Sequence, residues 1–214
     1  MVYRTTRKME ERKEARRKKL LSAAIGIFGR KGYHATTVPM IVRAAKSSVG
    51  SFYFYFRNKE DIFAAALDAL GAHISAALNE AIRAAGADVP AQMRAAVKAL
   101  VRFLAENPEE ARILIVESSG LGKQLEAVRR QVIESHTRGV EGALRAMADR
   151  LPPLDAAVVA SCWVGAVYEA VYHWLGRDPE ERPPADRLAD AIAKFNLRGI
   201  GAPAKHKQSE RISP

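Results

Sequence analysis

The sequence predicts an all-α protein in which a small basic head is joined to a larger, neutral body. Strand signals are nearly absent. Ala, Leu, Glu and Arg dominate, and apolar residues recur at spacings of three and four. The 48% apolar content of the 214 residues is ample for a packed core. Charge is distributed unevenly: residues 1–60 hold 15 Lys/Arg against 4 Asp/Glu, and residues 61–214 hold 19 against 20. The whole positive excess behind the net charge of +10 therefore sits in the head.

Local signals place the elements in order. Residues 1–10 read as a mobile basic arm. A helix over about Glu11 to Arg30 would bury Leu20, Leu21, Ala24, Ile27 and Phe28, and Gly32 ends it, since glycine tolerates φ > 0 past the last turn. Thr37 reads as an N-cap, with Pro39 in the first turn of a short helix ending near Ala45. Ser48 caps a second short helix through Tyr55. Asn58 caps a third start, with Glu60 and Asp61 at its positive end, and the helix runs to about Ala85. Further helices are expected over about Pro90 to Glu106, Pro108 to Glu117, Lys123 to Arg150, Asp155 to Trp174 and Ala185 to Leu197. Ser118 to Gly122, Leu151 to Pro153 and Gly176 to Pro184 separate them. Residues 201–214 read as a disordered tail, and there is no internal repeat.

Two short helices joined by a tight turn, at 38–45 and 48–55, have the form of a helix-turn-helix. In such a unit the second helix enters the major groove. Gly50 and Ser51 are small enough to let the backbone approach DNA. The run Phe52-Tyr53-Phe54-Tyr55-Phe56 is too long for one face of so short a helix. Phe52, Tyr55 and Phe56 are assigned inward, and Tyr53 and Phe54 outward. Tyr53 could offer its hydroxyl to a phosphate, and Phe54 could pack on a thymine methyl or a sugar. The basic head fits the same role. Charge alone equally allows a solubilising tail. A membrane-surface helix is disfavoured, because residues 4–19 carry almost no large apolar side chains.

From Leu20 to Leu67 the chain resembles the DNA-binding region of the tetracycline-repressor (TetR) family. The resemblance rests on Ala23-Ala24, Phe28, Gly32-Tyr33, Thr36-Thr37-Val38, Ile41, Ala44-Ala45, Ser48, Gly50, Phe52-Tyr53, Tyr55-Phe56, Lys59 and Ile62. It implies that Thr37, Tyr53 and Lys59 bind phosphates, and that Arg43 reaches the backbone or a base edge. Ser48, Gly50, Ser51 and Phe54 would face bases or sugars. Three positions in and beside the recognition helix depart from the pattern, and so does the turn. The turn position that usually holds Gly is Lys46, where φ > 0 costs about 1–2 kcal/mol unless its charge is repaid at a phosphate. Ser47 stands where an apolar residue is usual, Val49 where lysine is common and Phe54 where histidine is common. Readout would then lean on thymine methyls and DNA shape.

Nothing points to catalysis. His34, His73, His136, His173 and His206 have no metal-ligand spacing, and one cysteine makes a zinc site unpromising. Phosphate-cradling glycine loops and nucleophile elbows are absent, so no cofactor, metal or catalytic residue is assigned. Cys162 reads as a small core residue. With no uninterrupted run of 18 apolar residues and no signal segment, the expectation is a cytoplasmic protein without a membrane partner.

The expected division is 1–58 for the helix-turn-helix domain with its arm, 59–200 for a ligand-sensing and dimerisation domain, and 201–214 for the tail. A homodimer is expected through the last two long helices. Val159, Cys162, Trp163, Ala166, Val167 and Ala170 lie on the first, and Leu188, Ala191, Ile192 and Phe195 on the second. Arg4, Arg7, Lys8 and the run Arg16 to Lys19 would add phosphate or minor-groove contacts. Candidate effector contacts are Ile113, Glu117, Val132, His136, Trp163, Tyr168, Tyr172 and His173, which suit a small hydrophobic or aromatic molecule. The expected moving joint lies at Ser118–Gly122 and at the start of the helix over 59–85. The functional expectation is a ligand-responsive repressor on a palindromic operator. A non-specific DNA-binding or scaffolding protein without an effector is the alternative.

Overall fold

The computed structural model describes residues 7–201, which are helical throughout and contain no strand. Arg4, the side chains of Arg7 and Lys8, and the tail beyond residue 201 lie outside the described residues.

Helix α1 (Arg7–Lys31) starts earlier than the pattern suggests. Its first turns are rich in Glu, Lys and Arg, all good helix formers, and contain no Gly or Pro. Residues 9–16 are exposed, while Leu20, Leu21, Ala24, Ile27 and Phe28 are buried. Gly32, at φ +81°, ends the helix, and the buried Thr36 hydroxyl donates to its carbonyl at 2.7 Å. Helices α2 (Val38–Ala44) and α3 (Val49–Tyr55) follow. The turn between them is a Schellman closure. The Ser47 N–H donates to the Val42 carbonyl at 3.0 Å and the Lys46 N–H to that of Arg43 at 3.1 Å, with Lys46 held at φ +46°. Ser48 caps α3 by accepting from the Ser51 N–H at 3.1 Å. Asn58 caps α4 (Lys59–Ala84) by accepting from the Asp61 N–H at 2.7 Å. The head closes over Phe28, Ile41, Phe52, Ile62 and Phe63, and Phe63 meets the Phe28 ring edge-on at 4.8 Å.

Helix α4 runs from the head into the body. By length and composition it could cross a membrane, although it is not an uninterrupted apolar run. Its apolar stripe from Ile62 to Ile74 is buried within the fold. The body adds α5 (Val89–Glu106), α6 (Pro108–Arg112), α7 (Lys123–Arg145), α8 (Ala156–Leu175) and α9 (Ala185–Gly199). Helix α5 packs on α4 and α9, and α7 packs on α8 and α4.

Two further elements differ from the sequence expectation. The helix expected over 108–117 changes after Arg112 into a π-turn, Ile113–Glu117, closed by the Ser118 N–H donating to the Ile113 carbonyl at 3.0 Å. The buried Ser118 hydroxyl donates to the Leu114 carbonyl at 2.7 Å. The helix expected through Arg150 stops at Arg145, and a 3₁₀ turn over Ala148–Arg150 follows.

Cys162 is exposed, which corrects its assignment to the core. Trp163, Val164 and Val167 turn inward, so the α8 face carrying Cys162 points out. Of the apolar residues expected at a dimer face, Trp163, Val167 and Ile192 are internal. Cys162, Ala191 and Phe195 are exposed, beside Val158, which the sequence reading omitted.

Candidate nucleic-acid interface and effector cavity

Helix α3 is anchored by Phe52 and Phe56, both buried, and by the half-buried Tyr55. The opposite face carries Val49, Tyr53 and Phe54, which are 50%, 55% and 65% exposed. Gly50 lies on open space, with no atom within 4 Å of where a Cβ would stand. Ser48, Thr37, Arg43 and Lys46 are exposed around this face, and Ser51 is half-buried. Thr37 occupies the N-cap position of α2, but its hydroxyl forms no capping bond. The basic stretch of α1 borders the same surface. Lys13 lies over the Phe54 ring at 5.5 Å and Arg17 over Phe56 at 5.5 Å. The result is an aromatic and small-residue ridge flanked by cations, a surface suited to a phosphate backbone and groove edges.

Lys59, expected to bind a phosphate, also has a partner within the fold. It is half-buried, its ammonium donates to the Tyr33 carbonyl at 2.8 Å, and it lies 4.2 Å from the Tyr33 ring centre. It fastens α4 to the end of α1, leaving two of its three donors for any outside partner.

In the body, α4, α5, α7 and α8 line a half-open, largely apolar cavity of about 520 Å³. Of the candidate effector residues, His136, Trp163 and Tyr168 line it. The other five do not. Ile113 is sealed in the core, and Val132 packs against Gly71 of α4. Tyr172 and His173 border an open hollow on another side, with Arg30, Arg112, Arg177 and Arg182. Four of these departures lie on α8 and the π-turn, which are apolar or mixed all round, so periodicity did not say which face meets the cavity; Val132, on α7, is taken up by its contact with α4. Sequence reasoning missed the walls from α4 and α5, including Ser75, Leu78, Asn79, Ile82, Met93 and Val97. Ser75 and Asn79, polar and one turn apart in an apolar helix, were the available signal.

Glu117 acts at the junction of head and body. Its carboxylate accepts from the Tyr33 N–H at 3.0 Å and from Arg112 Nε at 3.1 Å. The turn at Gly32 admits it, because a Cβ there would lie 2.8 Å from Glu117 Oε2. One turn back, Gly29 lets α1 rest on the backbone of α6 at Glu109.

A helix-turn-helix head on a helical body with an apolar cavity is the build of a DNA-binding regulator. Residues 20–66 match the model of bacterial regulatory proteins of the tetR family, and residues 88–195 match that of the tetracyclin repressor-like C-terminal domain. The chain belongs to the TetR family of transcriptional regulators, which bind DNA and are not enzymes. The uncharacterized HTH-type transcriptional regulator YdgC of Bacillus subtilis is 29% identical over 71% of this chain and 76% of its own. The HTH-type transcriptional repressor NicS of Pseudomonas putida is 28% identical over 68% of this chain and 67% of its own. The transcriptional regulator FadR of Bacillus subtilis, solved in complex with stearoyl-CoA, shares the fold with a TM-score of 0.75 at 19% identity. That match covers 87% of this chain and 98% of FadR.

Proposed function

We propose that this chain is a cytoplasmic, ligand-responsive repressor that binds a palindromic operator as a homodimer and releases it when a small apolar effector enters the body. The observation that carries this reading is the continuity of α4. Its Asn58 cap abuts α3, and its Ser75, Leu78, Asn79 and Ile82 form a wall of the cavity. A ligand that displaces the far half of this helix shifts the near half and the reading head with it. Binding better to a conformer with misplaced heads by roughly 1–3 kcal/mol is enough to couple the two sites.

The division into a head over 1–58 and a body over 59–200 follows from the same reading. Thr37, Arg43, Lys46, Tyr53 and Lys59 engage phosphates, while Ser48, Val49, Gly50, Ser51 and Phe54 face the groove. The exposed apolar residues Val158, Cys162, Ala191 and Phe195 meet their symmetry mates across a four-helix bundle. The two heads then stand about 34–36 Å apart, or a multiple of this. Support for an acyl-like or aromatic effector comes from the apolar lining and from a structural neighbour that binds stearoyl-CoA.

Selection of genomic fragments by the full chain, followed by footprinting, tests this. A two-fold symmetric site, bound at least about a thousandfold tighter than random DNA at fixed salt, is the expected result. Equal affinity for all sequences would instead indicate a non-specific DNA-binding or scaffolding protein.

A further inference from the structure

Helix α3 has seven residues, and none of them is charged or carries an amide. In the major groove, base pairs are told apart chiefly by hydrogen bonds from Arg or Lys to guanine, from Asn or Gln to adenine, and to Asp or Glu from cytosine. Helix α3 offers no side chain of these kinds. Its polar groups are hydroxyls: Ser51 and Tyr55 are half-buried, Tyr53 is exposed, and the capping Ser48 Oγ is engaged by the Ser51 N–H. The forked side chain beside it, Arg43, stands on α2, the helix that crosses the phosphate backbone in such a unit.

The outward face of α3 is apolar instead. Val49 and Tyr53, and Gly50 and Phe54, lie four residues apart, so all four share one face. Val49 is the first residue of the helix, where base edges are reached. A Cβ at Gly50 would meet nothing within 4 Å, so the fold itself does not demand the glycine, and the gap is open to an outside surface. Exposed apolar groups clustered in this way mark a face that is covered in function. The cover is polyanionic: Lys13 and Arg17 flank the face, Arg43 and Lys46 stand exposed beside it, and α3 has no acidic residue.

An apolar side chain exchanges no hydrogen bond with the O4 of thymine or the N4 of cytosine. It does gain by covering a methyl group. Thymine carries a methyl at C5, where cytosine carries hydrogen, and 5-methylcytosine carries the same methyl in the same place. We propose that Val49 and Phe54 are specificity-determining residues that read the C5-methyl groups of pyrimidines, so that 5-methylcytosine stands in for thymine at the contacted pairs and deoxyuridine does not. This rests on reading α3 as the groove-facing helix of a sequence-specific repressor.

The test starts with selection of sites by the full chain from a random duplex library. Duplexes of the selected site are then made with deoxyuridine, cytosine or 5-methylcytosine, with the matching purine, at each thymine of the half-site in turn. Anisotropy titrations at one low salt concentration keep the variants bound through their phosphate contacts. At the contacted positions, deoxyuridine is expected to weaken binding about fourfold per methyl, and so about tenfold or more when both half-sites carry it. Cytosine weakens binding there too, and 5-methylcytosine recovers about tenfold of that loss. The double variant Val49→Ser/Phe54→Ser, whose changes lie on exposed side chains, is expected to bind the thymine and deoxyuridine forms within about twofold of each other. Thermal melts check that its fold is kept. If deoxyuridine at every thymine leaves wild-type affinity within about twofold, methyl reading is overturned and sequence preference is left to DNA shape. If the double variant still discriminates, the methyl groups are read elsewhere and Val49 and Phe54 lose the role. If selection yields no preferred site, the operator reading falls and the proposal with it.

Discussion

The Tyr33 N–H donates to the Glu117 carboxylate at 3.0 Å, across 84 residues of sequence, and this bond ties the helix-turn-helix head to the helical body. Glu117 is only 15% exposed and also holds Arg112 at 3.1 Å. It sits at the end of the π-turn, and such turns often mark sites where a helix does something besides pack. Glu117→Ala leaves the Tyr33 N–H without its partner. A stability loss of about 1–3 kcal/mol is expected, read as a lower denaturation midpoint. Operator affinity should be largely kept, while release by effector becomes weaker. An unchanged effector response would show that coupling runs through α4 alone.

Two glycines of α1 make a paired test. At Gly29 a Cβ would lie 2.3 Å from Glu109 Cβ and 2.5 Å from Glu109 Cα, so helix and helix must separate. At Gly26 the nearest atom is the flexible end of Arg30, at 3.1 Å. Gly29→Ala should therefore destabilise by about 1–3 kcal/mol, as overpacking does. Gly26→Ala should be neutral or stabilising by about 0.5–1 kcal/mol, the helix-propensity gain. Thermal melts of the two variants decide it, and equal shifts would mean that the α1–α6 contact yields freely.

The head was readable in the sequence because its signals are local. Ser48 and Asn58 cap the helices they precede, and Phe52 and Phe56 face inward as their spacing requires. The body was harder. The π-turn is closed by bonds from the buried Ser118, which no local pattern announces, and so the segment read as plain helix. Helix α8 is apolar nearly all round, so its sequence did not separate Trp163, which faces the cavity, from Cys162, which faces out. Lys59 showed its charge in the sequence but not its bond to Tyr33, which depends on how α4 meets α1.

Lys46 holds φ +46° at the turn between α2 and α3, where the Schellman closure favours glycine. Lys46→Gly should stabilise the free protein by about 1 kcal/mol. If Lys46 also meets a phosphate, the same change should weaken binding to all DNA sequences and lower the slope of log affinity against log salt by about 1. A salt titration separates the outcomes: an unchanged slope would remove Lys46 from the interface and leave only the turn strain.

His136 makes stability depend on pH. Burial lowers its pKa below the usual histidine range. The unfolded chain therefore takes up a proton at a higher pH than the folded chain. Where the unfolded state binds more protons, stability rises with pH. This contribution is complete above the usual histidine range and declines as pH falls through that range, until the folded histidine also protonates. His136→Gln removes the titration and should flatten this part of the stability profile, measured as denaturation midpoints from mildly alkaline to mildly acidic pH. His173 is a built-in comparison. It is exposed and 3.0 Å from the Glu169 carboxylate, outside the cavity, so His173→Gln serves as the surface control variant. A decline that survives His136→Gln would show that His136 is not the titrating group.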